Sequence, residues 1–128
     1  MRRLLDTHAL IWWVTDDQAL SKAAYGAIDD PKNEVLASAA SAWEIATKHR
    51  IGKLPHAGPL ATDFGASIAA EGFTGLPISV REAEAAGRLP GPHRDPFDRM
   101  LIAQALADSL TLISNERVFD RYGVARLW

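Results

Sequence analysis

The chain has 128 residues, long enough for one domain with a real core, and its 48% apolar and 23% charged residues are those of an ordinary soluble globular protein. The lack of cysteine excludes disulfides, thiolate catalysis and thiolate zinc sites. A net charge of -2 excludes a grip on nucleic acid by bulk charge, so any such binding needs local positive charge or a bound cation.

"RRLLD" opens as a short apolar strand, and "THALIWWV" follows as a helix with Asp6 or Thr7 available as cap. Arg2 and Arg3 precede no sustained apolar run and no small-residue cleavage site, which speaks against a signal peptide. No apolar run is long enough to cross a bilayer, so a cytoplasmic protein with no membrane partner is expected. "SKAAYGAIDD" predicts a second short helix, capped by Ser21 and stopped by Pro31. "EVLAS" is a strand, and "AASAWEIATKH" a helix capped by Ser38, with Gly52 after its end. "PLATDFGASIAAEG" reads as one helix ended by Gly72. "FTGLPIS" is a weak strand, made short or peripheral by Pro77. "SVREAEAAG" opens with the capping box Ser79-x-x-Glu82 and closes at Gly87. "DPFDRMLIAQALAD" is the clearest helix, with Asp95 as N-cap and Pro96 at its first position. "LTLIS" and "VARLW" are the last strands. No linker, repeat or boundary interrupts residues 1–128, which are read as a single domain. Short apolar strands separated by helices predict an α/β fold, a central parallel sheet covered by helices on both faces in three layers. Ligand sites in such sheets lie at the carboxyl ends of the strands.

Four carboxylates stand out against that frame. Asp6 ends the first strand among apolar neighbours, where a carboxylate is costly unless hydrogen-bonded, paired or metal-bound. Its plain alternative is an N-cap. Glu44 lies inside "SAWEIATK" beside Trp43, and its plain alternative is a surface pair with Lys48. Asp98 falls in the first turn of its helix, where the helix dipole favours negative charge anyway. Glu116, just past "LTLIS", reads equally as a solvated loop residue. Asp95 is assigned to capping. If Asp6, Glu44, Asp98 and Glu116 converge above one sheet edge, they repel one another unless a cation lies between them. Oxygen ligands without cysteine suit Mg²⁺, with Mn²⁺ as the alternative, and such an ion can acidify water and neutralise phosphate oxygens.

The four histidines form no i, i+4 pair, which speaks against zinc; His93 could contact phosphate, and as a loop residue it is expected to be solvated. "KHRIGK" and "HRDPFDR" are the local basic groups that could meet RNA phosphates. Trp12 and Trp13 are adjacent on one helix and point different ways, so one of them is expected in an interface. No serine-hydrolase elbow, Walker loop or dinucleotide fingerprint is present.

"LLDTHALIWW", "SAWEIATKHRIGKL" and "HRDPFDRMLIAQALADSLTLISNERVFDRYGV", in this order and spacing, resemble PIN-domain ribonucleases, specifically the VapC-like toxins of prokaryotic toxin–antitoxin pairs. The resemblance covers essentially the whole chain. It implies a PIN-like sheet and Mg²⁺-dependent hydrolysis of phosphodiester bonds in a structured RNA such as tRNA. It also implies a homodimer and a cognate antitoxin covering the cleft. By the same resemblance Asp6, Glu44 and Asp98 match the family's acidic positions, and the Thr7 hydroxyl helps to position Asp6. Glu116 stands where relatives carry Asp, and Ser114 stands for a usual Thr, so Glu116 reaches a second, weaker metal or works through water. Two rival readings remain from the residues alone. One is a Mg²⁺-dependent small-molecule phosphohydrolase or receiver-like domain, disfavoured by the lack of a carboxylate two residues after Asp6. The other is a non-catalytic interaction domain whose acids are caps.

Overall fold

In the computed structural model, which describes residues 1–128, alternation of buried side chains along each strand builds two cores from one sheet. The strands are β1 (Arg2–Leu5), β2 (Glu34–Ser38), β3 (Thr74–Leu76), β4 (Thr111–Ile113) and β5 (Arg126–Leu127). All pair in parallel, in the order β3-β2-β1-β4-β5. The helices are α1 (Thr7–Val14), α2 (Lys22–Asp29), α3 (Ala39–Arg50), α4 (Gly58–Thr62), α5 (Phe64–Ala70), α6 (Val80–Arg88) and α7 (Pro96–Ala107). Short 3₁₀ turns span Pro55–Ala57 and Arg117–Tyr122.

On central β1, Leu5 faces a core shared with Val35, Ala37 and Ile113 and with side chains of α1 to α5. Leu4 faces the opposite core, with Leu36, Leu112, Leu101 and Ile102 of α7 and Phe119 of the second 3₁₀ turn. Successive strand side chains point to opposite faces, so these few apolar residues suffice to cover both sides. Each fully buried Leu contributes about 1.5–3 kcal/mol relative to exposure. The expected three-layer α/β/α arrangement is therefore the one found. No helix is long and apolar enough to cross a membrane.

Most element limits follow the sequence reading. Ser21 and Ser38 cap α2 and α3, the Ser79–Glu82 box caps α6, and Asp95 accepts from the backbone N–H of Phe97 and Asp98. β3 is a three-residue edge strand before Pro77. One expectation fails: the segment read as a single helix up to Gly72 breaks at Asp63. That residue leaves helical conformation at φ -150 and ψ 80, and its carboxylate caps α5 through the Ala66 N–H. An Asp able to bond nearby backbone competes with helix continuation. The 3₁₀ turn at Arg117–Tyr122 was not foreseen either; it ends on Gly123, whose φ of 75° is a left-handed cap that favours glycine.

Candidate active site

Chain geometry brings the acidic residues to the carboxyl edge of the sheet. Asp6 leaves β1 with its backbone N–H still donating to the Ile113 carbonyl at 3.0 Å, so it sits directly over the β1–β4 junction. Its φ of -63 and ψ of 151 put it at the N-cap position of α1, yet its side chain caps nothing. Instead the Ser114 hydroxyl, at the end of β4, donates to Asp6 Oδ2 at 2.7 Å. The same oxygen of Ser114 accepts from the Glu116 N–H at 3.0 Å, which fixes the turn carrying Glu116. The plain capping reading of Asp6 is thereby excluded. The expectation that Thr7 positions Asp6 is also overturned, because Thr7 Oγ1 bonds to Ser41 Oγ at 2.9 Å and ties α1 to α3.

Glu44 projects from the second turn of α3 and is 4% exposed, against 3% for Asp6. It does pair with Lys48, but as a buried acceptor rather than a surface partner. Burial alone would lower the Lys48 amine; its hydrogen bond to Glu44 and the charges of Glu44, Asp95 and Asp98 together outweigh this and hold the pKa above the usual lysine value. Asp98 enters from the first turn of α7, 9% exposed, with Oδ2 at 2.9 Å from His93 Nε2. His93, expected to be solvated, is therefore a partner of the site. The loop that carries it is pinned from inside: Arg99 donates to the carbonyls of Ala86, Leu89 and His93 at 3.0, 2.6 and 2.9 Å.

Burial is the main electrostatic force on the two aspartates. It pushes Asp6 from 3.8 up to about 6, opposed by the Ser114 bond and His8 and reinforced by the charges of Glu116 and Glu44. Asp98 rises from 3.8 to about 7, again mainly by burial, opposed by His93 and reinforced by Asp95, Asp6 and Glu116. No lysine or arginine pairs with either aspartate. One donor atom each of Asp6, His8 and Glu116 lies within 4.8 Å of the others, with His8 Nδ1 at 4.0 Å from Glu116 Oε1. Asp98 and Glu44 stand outside that tight group and interact with it through charge. His8 escapes the sequence reading, which asks of it only an i, i+4 partner for zinc; the Asp6-x-His8 spacing at the first turn of α1 is the available signal. The chemistry of this donor set fits a hard divalent cation: carboxylate oxygens, those of Asp6 and Asp98 buried without a lysine or arginine partner, and one half-exposed imidazole. Trp12 and Trp13 are each half-buried, Trp12 against His8 and Trp128 and Trp13 against Tyr25 and Phe73. Trp43 is the exposed indole at 60%, packed edge-on against Phe97.

A doubly covered parallel sheet with buried acids at its carboxyl edge, two of them unpaired by lysine or arginine, defines an α/β domain built around an acidic, cation-accepting mouth. The PIN domain family model matches residues 3–125, and the chain belongs to that family. Ribonuclease VapC16 of Mycobacterium tuberculosis is 54% identical over 35 residues, so the match spans 27% of this chain and only a quarter (25%) of that curated relative. The crystal structure of VapBC2 from Rickettsia felis, bound to a DNA fragment from their promoter, superposes with a TM-score of 0.69 at 14% identity, covering 98% of this chain and 97% of that one. VapC20 of Mycobacterium tuberculosis, described as a sarcin-ricin loop cleaving toxin, gives 0.69 at 15% identity, covering 96% of both. At these identities the structures establish the shared fold.

Proposed function

We propose that the chain is a Mg²⁺-dependent endoribonuclease toxin that hydrolyses phosphodiester bonds in RNA and is held inactive by a cognate antitoxin. The observation that carries this is the pair of buried aspartates, Asp6 and Asp98, whose charges act on each other and which no lysine or arginine pairs. Such a pair is unfavourable in isolation and becomes favourable around a divalent ion. Family membership and the printed names of VapC16 and VapC20 support the reaction class.

Asp6, Glu44, Asp98 and Glu116 are the proposed catalytic and metal-holding residues, with His8 beside them and Mn²⁺ an alternative ion. When bound, a divalent ion supplies charge neutralisation at phosphate oxygens and a more acidic water. The chain does the rest. Ser114 orients Asp6, and Asp95 fixes the first turn of α7 so that Asp98 faces the mouth. Lys48 compensates Glu44, leaving net negative charge concentrated on the aspartates. The partners in this reading are a structured RNA such as tRNA, an antitoxin and a second copy of the chain, in the cytoplasm. VapBC2 supports the antitoxin because that structure is of a complex.

The test is incubation of the purified protein with labelled total RNA in Mg²⁺ or EDTA, with mapping of the new ends. Discrete cleavage in Mg²⁺, absent in EDTA and absent for Asp98→Asn, is the expected result. Cleavage that persists in EDTA, or an Asp98→Asn protein that cuts at the parental rate, overturns it.

A further inference from the structure

Beside the acidic cluster lies a cleft of about 410 Å³ between the Pro90–His93 loop and the 3₁₀ turn at Arg117–Tyr122. That volume is within the range of small-ligand sites. The cleft and the acidic cluster share one residue: His93 lines the cleft while its Nε2 touches Asp98 Oδ2 at 2.9 Å. We propose that this cleft docks the nucleotide adjoining the scissile phosphate, its base against Pro92, Val118 and Tyr122 and its phosphate on Arg121. The proposal rests on the nuclease reading above and adds to it a substrate-binding subsite.

Its walls are preorganised. Arg99 pins the loop at both ends, donating to the carbonyls of Leu89 just before it and of His93 within it. Gly91, at φ +91, lies on the Tyr122 ring so closely that a Cβ there would come within 2.9 Å of the Tyr122 hydroxyl. Only glycine satisfies both the left-handed backbone and that contact. The pinned loop and the ring thus form a rigid, largely apolar slot, the kind of surface on which an unpaired base stacks.

The charge also fits. Arg121 is exposed and has no carboxylate or carbonyl partner, because neighbouring Asp120 commits both oxygens to Arg126 at 2.8 and 3.0 Å. No acidic side chain lines the cleft. In a chain of net charge -2, a free guanidinium next to an acidic mouth is the local positive charge that an RNA strand requires. An acidic peptide would also meet Arg121. The continuity with Asp98 through His93 favours the RNA strand.

The experiment is fluorescence anisotropy of a labelled single-stranded oligoribonucleotide in EDTA, over a range of salt concentrations. Parent, Arg121→Ala, Gly91→Ala and Lys32→Ala are compared. Lys32, exposed beside the amino end of β2, removes the same charge at the opposite edge. Arg121→Ala should bind roughly five- to tenfold more weakly and flatten the slope of log K against log salt by about 0.7, the signature of one lost phosphate contact on a single strand. Gly91→Ala should weaken binding with the slope unchanged, and Lys32→Ala should match the parent. Equal binding by Arg121→Ala and Lys32→Ala overturns the proposal and leaves the cleft to a peptide partner. An unaffected Gly91→Ala protein also overturns it, since charge alone would then explain binding, and so does a parent that binds no RNA. Cleavage of the same RNA in Mg²⁺ is scored separately. Its absence sinks the nuclease reading, whereas anisotropy decides the cleft.

Discussion

The two halves of the acidic mouth solve the same problem differently. Glu44 and Asp6 are equally buried, at 4% and 3% exposure. Glu44 carries its own cation, Lys48, one helical turn away. Asp6 has no lysine or arginine: its hydroxyl partner Ser114 and nearby His8 do not offset its burial, and its pKa is pushed up to about 6. Asp98 follows Asp6: its one side-chain partner is His93, and it is pushed up to about 7. A fold that needed these acids only for architecture would pair all of them. The half left without a cation is the half expected to receive one from solution.

The sharpest break of the comparison is removal of charge from the unpaired half. Asp6→Asn or Asp98→Asn should lower RNA cleavage by at least ~10²-fold with the fold retained, because each removes a ligand charge at nearly constant size. Assays of cleavage alongside circular dichroism check both parts. Asp6→Asn should also melt higher than the parent without divalent ions, since it removes a buried, repelled charge.

Removing the cation from the paired half should act on stability. Lys48→Met strands Glu44 as a buried, uncompensated carboxylate. A loss of about 1–3 kcal/mol in denaturant unfolding is expected without divalent ions, short of the full cost of a broken buried pair because Lys48 is 30% exposed. A neutral effect would mean that solvent reaches Glu44 and that the two halves do not differ.

The support of the unpaired half comes next. Ser114→Ala removes the bond to Asp6 Oδ2 and the one from the Glu116 N–H, and should cost roughly 10- to 100-fold in cleavage. Ser114→Thr should restore most of it, since the hydroxyl remains. Glu116→Gln should have the smallest effect of these acids, because its side chain is 40% exposed. A larger loss there than at Asp6 would invert the ranking.

How much of this was legible in the sequence differs between fold and site. The strands, the capped α2, α3, α6 and α7, and the edge position of β3 are local: each follows from apolar runs, Ser and Asp caps, and Pro77. The break at Asp63 was misread because Asp–Phe–Gly fits a helical pattern as well as a cap. The acidic residues were visible because they interrupt apolar stretches or open helices. Their partners were not. Ser114 and Asp6 are separated by 108 positions, and only the pairing of β1 with β4 brings them together. The bond between Ser38 and buried Gln104 spans 66 positions and is invisible for the same reason. The family resemblance assigned Thr7 to Asp6, whereas the α1–α3 contact turns its hydroxyl to Ser41.

Proton linkage gives the comparison its sign. The ordinary carboxyl value is 3.8, and the folded values are about 6 for Asp6 and about 7 for Asp98. Between pH about 4 and 7 the folded chain holds protons that the unfolded chain has released, so metal-free stability falls as pH rises through that window, by on the order of a few kcal/mol. Mg²⁺ competes with those same protons and should bind more tightly as pH rises toward 8.

The most direct measurement is therefore the melting temperature near pH 8 in millimolar Mg²⁺ against Na⁺ at matched ionic strength, for the parent and Asp6→Asn. A cation that binds only the folded state stabilises by about 2.7 kcal/mol at a hundredfold excess over Kd, which is several degrees for a domain of this size. The parent should rise by that amount in Mg²⁺ and not in Na⁺, and Asp6→Asn should respond little. Superimposable parent curves in Mg²⁺ and Na⁺ would contradict the claim that the unpaired half of the mouth is a cation site.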